Sequence, residues 1–556
     1  MKAADRFGRA AFGMAALVYL AVCVSVLRHS VPWLLGYVAD DAFYYLQIAR
    51  HLAAGGRSTF DGLNPTNGYH PGWMLLMTAL ARIYPDKVIL LKASLGLEFG
   101  FQFATSLVLA AIVRRFAGSF WGWIASTLWL LSPLPLTLAL YGVEAPFAQF
   151  TVAVAVWMYL TQIAPFLRPG TAAFPSRSLV LFGLSLALAF YGRTDQMLLA
   201  VTALALLLRL TWLRTVQERR IPACARVLLW TGGAFAAAAL PWYWFSYASC
   251  GTFTQDSGAM KILWHARSIP GWNVHTLAIG PLKFAALFWI AAPFWALFTG
   301  AFPPNSFAAV LALLVLCFLI AAAGAMSRRA APRSEPSLEE ADALGSSALG
   351  QVTGWLGAAL LLSGLVYGLL VDDPQFWHLA VPSLTLFLLL AAWGAKLARQ
   401  RLGLTAQRRV GMVVVCAALG VCVWHRLQVT PPYPWQRDVY ASEPRFEALI
   451  PASARIGCFD AGIPAYFSPR TVINLDGLVN HTAVAYWKTN TLNGYVSAQD
   501  IAYIANEPAT VAHAQEFTSA PIPLTLVAFS ALHGWNTGQR DLWRVEPPKK
   551  EFQNFR

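Results

Sequence analysis

Apolar runs of roughly twenty residues recur along most of this chain, and Arg and Lys cluster in the short gaps between them. A run of that length crosses a bilayer as a helix, so the fold is confined to a membrane bundle. The chain is 57% hydrophobic and 12% charged, with mean hydropathy +0.52, more apolar surface than a soluble domain can cover. The net charge of +14 invites a nucleic-acid partner. The cations follow the positive-inside pattern instead, and no basic patch interleaves with an aromatic platform, which excludes nucleic acid. Seven Cys are scattered, several inside apolar runs (Cys23, Cys317, Cys416, Cys422), without CxxC or Cys/His metal spacing. Most read as small core residues rather than a disulfide framework.

Lys2, Arg6 and Arg9 precede the first run, 10–28, which puts the N-terminus in the cytoplasm. No small-residue cleavage site follows, so this is an uncleaved first span. Residues 29–86 then form the first outer loop. Within it, 73–84 is too short to cross about 30 Å of hydrocarbon and reads as an interfacial or re-entrant helix. Were it a span, Arg114, Arg115 and the basic run 214–220 would face outward. Further spans are expected near 88–113, 117–139, 144–164, 178–192, 195–213, 226–247, 306–326, 351–370, 377–398 and 409–427. A candidate at 281–299 upsets the parity, which leaves the count at about eleven to thirteen. Residues 327–350 make a cytoplasmic loop, flexible over 328–347.

From 436 the composition turns polar. An amphipathic segment at 438–449 and strand-like runs at 455–459, 471–475 and 524–529 indicate a compact α/β unit. The expected architecture is a mainly α polytopic membrane domain over 1–435 and a small extracytoplasmic α/β domain over 436–556. Cys458 falls on the same side as Cys250, and nothing in the sequence requires them to pair. No internal repeat is visible.

On this topology the unusual polar residues gather on the outer side. They are Asp40, Asp41 and Asp61 in the first loop, with Tyr69 and His70 in GYHPGW, and Glu144 in YGVEAPF. Arg193 and Asp195 follow in YGRTD, then Asp256, Lys261, His265 and Arg267, and Asp372, Asp373 and His378 in VDDPQFWH. Acids in one loop and cations in another suit a reaction that takes a proton from a hydroxyl and stabilises a departing phosphate. Lys261, Arg267, Arg193, His265 and His378 are the candidate phosphate ligands; Glu144, Tyr69, His70 and Asp195 are candidate substrate contacts. Each has a plainer reading. One of Asp40 and Asp41 caps the helix that follows; Glu144 meets the dipole of its span. Arg193 and Asp195 form a structural pair, and Lys261 is a solvated loop charge. His378 belongs to an interface belt. His70 holds a turn, and Asp476 in NLDGLVN shapes another.

An acidic pair just after the first span, opening an amphipathic helix in the first outer loop, resembles the GT-C superfamily of integral-membrane glycosyltransferases. That superfamily includes protein O-mannosyltransferases, aminoarabinose transferases and arabinofuranosyltransferases. The run DDAFYYLQIAR…FDGLNPTNGYHPGW carries the likeness, and YGVEAPF, SGAMK and NLDGLVN look like further elements of one bacterial and archaeal branch. The resemblance implies a polyprenyl-phosphate sugar donor, inversion at the anomeric centre and a first-loop acid as base. In such pairs the first acid is more often the base, which puts Asp40 ahead. It also implies a lipid, glycan or protein acceptor at the outer face of the cytoplasmic membrane. No cofactor is required, although acids of this kind also hold Mg²⁺ or Mn²⁺ in oligosaccharyltransferases of the superfamily. GYHPGW stands where aminoarabinose transferases carry a KPP motif, so the sugar does not carry over. The rival is a transporter or flippase of a lipid-linked sugar. That would call for charges at span centres and internal symmetry, whereas the charges here sit at span ends.

Overall fold

The computed structural model describes residues 2–167, 174–218, 222–268, 289, 291–300, 336–371, 375–428, 430–529 and 540–546. Among them, eight helices are long and apolar enough to cross a membrane: Ala4–Arg28, Lys87–Ala117, Ala145–Leu167, Thr194–Leu213, Cys224–Cys250, Ser347–Leu370, Phe376–Arg401 and Leu404–His425. Ser119–Leu131 and Pro133–Leu140 make a further apolar stretch bent by 49°. Pro133 lacks the N–H that would continue the helix and holds Ser132 in an extended conformation, so the break falls there. Ser176–Gly192 is apolar but shorter. The chain is a multi-pass membrane protein, and the expected spans that lie in the described residues coincide with these helices. The expected span 306–326 lies outside the described residues, as does most of 281–291, while Ala292–Thr299 is helical.

One expectation is corrected. Residues 336–347 were expected within a flexible loop, but they begin the helix Pro336–Leu370. Pro at the first position followed by Glu339, Glu340 and Asp342 near the N-terminus favours helix, and the following span extends it. The remainder of that loop, 327–335, lies outside the described residues.

Polar side chains tie the bundle together. Gln102 donates to Gln149 (2.7 Å) and accepts from Trp129 Nε1 (3.1 Å), while Gln149 donates to the Ala380 carbonyl (2.7 Å). All three side chains are fully buried, and in an apolar bundle such bonds fix which helix faces meet. The short apolar segment of the first loop forms the helix Pro71–Ile83, of 13 residues. It approaches the bundle closely at Gly72, where a Cβ would lie 2.6 Å from the Tyr191 carbonyl.

The C-terminal region forms a five-stranded sheet of β1 (Arg455–Cys458), β2 (Val472–Asn474), β3 (Ile501–Asn506), β4 (Leu524–Phe529) and β5 (Asp541–Val545), in the order β2-β1-β3-β5-β4. β1 pairs in parallel with β2 and β3, whereas β5 is antiparallel to β3 and β4. The apolar centres of β1, β2 and β3 are buried by crossover helices, as parallel strands require. The carboxyl ends of these three strands share one edge, and Phe459, Asp476 and Asn506 lie there. Cys458 and Cys250 are both free thiols, and Cys458 is buried in β1.

Arg540 and Glu443 form a buried ion pair that joins the entrance of β5 to the helix Gln436–Leu449. Glu443→Ala removes the counter-charge of a buried guanidinium and is expected to destabilise the C-terminal domain by about 3 kcal/mol. Limited proteolysis of this region against denaturant measures it; an unchanged midpoint would show that the pair contributes nothing.

Candidate active site

The first-loop helix Asp40–Ala53 begins at Asp40, with Ala39 as an N-cap that makes no side-chain bond. Neither acid therefore caps its own helix. Phe43, Leu46, Ile48 and Ala49 are buried, and the helix stops where Gly55 turns the chain in a left-handed conformation (φ 79°). Asp40 instead caps a helix of the C-terminal domain. Its two oxygens accept from the backbone N–H groups of Gly462 (2.9 Å) and Ile463 (2.8 Å), at the start of Gly462–Phe467. One turn on, Tyr44 Oη donates to Asp476 (3.2 Å) and to the Phe459 carbonyl (3.3 Å), and accepts from Ala461 N–H (3.2 Å).

Asp41 faces another way. It lines a cavity with Tyr45, His70, Glu144, Lys261 and His378, which Arg193, Tyr69 and the C-terminal-domain turn at Leu478–Val479 help close. Gly68 lets that turn approach, because a Cβ there would strike the Leu478 carbonyl. Burial raises the Asp41 carboxyl to about 6, opposed by nearby Lys261 and reinforced by Glu144 and Asp460. Burial raises Asp40 to about 7, with Asp460 adding to the shift and the two backbone N–H groups opposing it.

Behind the cavity lies a buried ion network. Arg193 donates to Glu144 (2.6 Å), Asp195 (3.2 Å) and Tyr367 Oη (3.2 Å). Tyr45 Oη donates to Glu144 (2.9 Å), and Tyr367 Oη donates to Asp195 (2.6 Å). Arg193 and Glu144 are each 3% exposed, so this guanidinium neutralises acids already present. His70 Nδ1 accepts from Thr194 N–H (3.2 Å), which leaves the Nε2 proton directed at Glu144 (3.5 Å). Burial lowers His70 to about 4, so the ring is neutral at neutral pH. His378 Nδ1 accepts from Gln375 N–H (2.9 Å), leaving Nε2 as the donor nitrogen.

The structure thus gathers Asp41, Tyr69, His70, Glu144, Arg193, Lys261 and His378 around one cavity. Asp195 stands behind Arg193, and His265 is buried on the Lys261 helix away from the cavity lining. Arg267 is directed to the C-terminal domain, donating to the Trp487 carbonyl and Asn490 Oδ1 (both 2.6 Å). Asp61 organises its own turn by accepting from Leu63 and Asn64 N–H. Asp372 and Asp373 lie outside the described residues. Sequence reasoning missed Tyr44, Tyr45 and Asp460. The helical spacing of Asp40 with Tyr44 and of Asp41 with Tyr45 was a usable signal for the tyrosines.

Asp40, Asp41 and Trp377 also border a second cavity, whose walls include Tyr433, Trp435, Asp460 and Asn506. A family model described as a domain of unknown function, DUF8728, matches residues 443–544. No curated protein matches the chain. ArnT from Cupriavidus metallidurans bound to undecaprenyl phosphate is similar in structure over 95% of this chain and 97% of that chain, with 13% identity and a TM-score of 0.55. AglB, the oligosaccharyltransferase of Archaeoglobus fulgidus, in complex with an inhibitory peptide and a dolichol-phosphate, is similar over 90% of this chain and 69% of its own, with 13% identity and a TM-score of 0.50. The same oligosaccharyltransferase in complex with Zn and sulfate is similar over 92% and 70%, with 13% identity and a TM-score of 0.51. The chain has the GT-C fold.

Asp40→Ala removes the acceptor of two backbone N–H groups and is expected to weaken the seam between the domains by about 1–3 kcal/mol. Amide hydrogen exchange at Gly462 and Ile463 should accelerate by at least about tenfold. Unchanged protection would mean that Asp40 does not hold them.

Proposed function

We propose that this protein is a glycosyltransferase that moves a sugar from a polyprenyl-phosphate donor to a lipid, glycan or protein acceptor at the outer face of the cytoplasmic membrane, with Asp41 as general base. The observation that carries this reading is the placement of Asp41, in reach of Lys261 and at the junction of two cavities. The shared fold with ArnT bound to undecaprenyl phosphate and with AglB bound to a dolichol-phosphate supports the donor class.

The donor phosphate occupies the cavity of Lys261 and His378. Lys261 supplies the positive charge and His378 Nε2 a hydrogen bond to the leaving phosphate, which gains charge as the glycosidic bond breaks. Arg193 acts one step back, holding Glu144 and Asp195 in place. The acceptor enters through the second cavity, where Trp377, Tyr433 and Trp435 offer apolar ring faces and Asn506 a polar edge. Its hydroxyl gives its proton to Asp41 while its oxygen attacks the anomeric carbon from the face opposite the phosphate. The bond to the phosphate breaks and the configuration inverts.

Asp41→Asn is expected to insert and fold normally yet lose transfer by about a hundredfold or more in an assay with a polyprenyl-phosphate sugar. Retention of wild-type transfer would sink the assignment. A protonated carboxyl cannot accept the hydroxyl proton, so kcat/KM of the wild type should fall as pH drops through about 6. The same limb should persist in Asp40→Asn; its disappearance there would assign it to the wrong acid. Lipid-linked-sugar flux in vesicles without any transfer would favour the transporter.

A further inference from the structure

Three donors of different chemistry meet away from the Asp41 cavity. Cys250 ends the helix Gly233–Cys250, Asp256 opens the helix Asp256–Ser268, and His481 opens the helix His481–Lys488 of the C-terminal domain. One ligand atom from each, the Cys250 thiol sulfur, an Asp256 carboxylate oxygen and a His481 ring nitrogen, lies within 4.8 Å of the other two. We propose that these residues bind a zinc ion that fastens the C-terminal domain to the membrane domain.

Tetrahedral zinc, with bonds of about 2.0–2.3 Å, spaces its ligand atoms about 3.3–3.8 Å apart. His481 Nδ1 and Asp256 Oδ1 are 2.7 Å apart, so that pair opens by roughly half an ångström or more while the thiol closes in. Such shifts are within side-chain reach. Thiolate and imidazole select zinc over magnesium or manganese, which favour oxygen donors. Charge agrees with the choice. Cys250 and Asp256 are 7% and 1% exposed, and a thiolate with a carboxylate cancels a dication, so the filled site is neutral where burial demands it.

The surroundings orient the ligands. Asn67, fully buried, donates its backbone N–H to Asp256 Oδ2 (3.4 Å) and accepts from Asp256 N–H (2.9 Å). Its amide nitrogen donates to Ser246 Oγ (2.6 Å) and the Thr254 carbonyl (3.0 Å), binding the carboxylate to the loop after Cys250. Supporting shells of this kind turn the remaining carboxylate oxygen toward the metal. The His481 side chain is 31% exposed, which provides the entry path and a fourth position for water. Ser257 and Lys261, on the same helix as Asp256, line the Asp41 cavity, so a metal here also fixes where that cation sits. None of the three ligands touches the reacting atoms, so the ion is a fastening rather than a catalyst.

The test uses the full-length protein, stripped with a chelator and shown by circular dichroism to keep its helices. Reloading is expected to restore one zinc per chain by elemental analysis. Cobalt(II) in its place is expected to give the near-ultraviolet thiolate-to-metal charge-transfer band. That band should vanish in Cys250→Ser, and His481→Ala should weaken metal binding by about tenfold or more. The proposal is overturned if stripped wild type takes up no stoichiometric zinc, or if the cobalt band survives in Cys250→Ser. The wild-type uptake stands on its own should either variant fail to fold.

Discussion

Everything at this site depends on the seam between the first-loop helix and the carboxyl-end edge of the C-terminal sheet. Asp40 and Tyr44, one helical turn apart, face the C-terminal domain and bind the backbone at 459–463. Asp41, Tyr45 and Ile48 occupy the neighbouring stripe and face the cavity. A single helix therefore both fastens the C-terminal domain and lines the cavities beside it, Tyr44 bordering the first and Asp40 the second. Gly462 is required at the junction, because a Cβ there would strike the Asp40 backbone carbonyl. The open end of a parallel sheet, where ligands of α/β domains commonly bind, is here turned onto the membrane domain and closes its cavity.

Charge is distributed on the same logic. Four groups, Glu144, Arg193, Asp195 and Tyr367, satisfy one another in a buried network. Removing any one strands the others, and the cost of an uncompensated buried charge exceeds that of most surface changes. A guanidinium held by two carboxylates is a poor ligand for an incoming phosphate, since binding it would mean breaking those bonds. Lys261 lines the same cavity from a helix that Arg267 clamps to the Trp487 carbonyl and Asn490. The network forms the floor of a cavity that Lys261 also lines.

Much of this was legible in the sequence. Run length and basic gaps gave the helical bundle, because hydrocarbon thickness and loop charge leave few alternatives. The first-loop acids stood out because polar groups near a membrane are costly and few. The strands at 455–459, 471–475 and 524–529 were visible as apolar runs, whereas β3 and β5 were not singled out. The split between Asp40 and Asp41 was hidden, because it depends on which backbone N–H groups arrive from a segment more than four hundred residues away. Asp460 was missed for the same reason: only folding brings FDAG at the end of β1 beside the first loop. The break at Pro133 was not read, since 117–139 was expected as one span, although proline interrupts a helix by covalent geometry alone. The helix at 336–347 was not read, because its acidic composition also suits a solvated loop.

Two adjacent acids on one helix gain different chemistry only if their surroundings differ. Burial raises both, so burial alone does not choose between them. Hydrogen bonding makes their surroundings differ. The Asp40 oxygens are each occupied by a backbone N–H, and taking up a proton would compete with the seam. Asp41 opens onto a cavity where Lys261 favours its charged form and Asp460 opposes it. Asp460 belongs to the C-terminal domain, so docking that domain both buries Asp41 and brings a like charge near it. Each effect makes the carboxylate a stronger base. The same contact between the domains therefore closes the cavity and raises the carboxyl inside it.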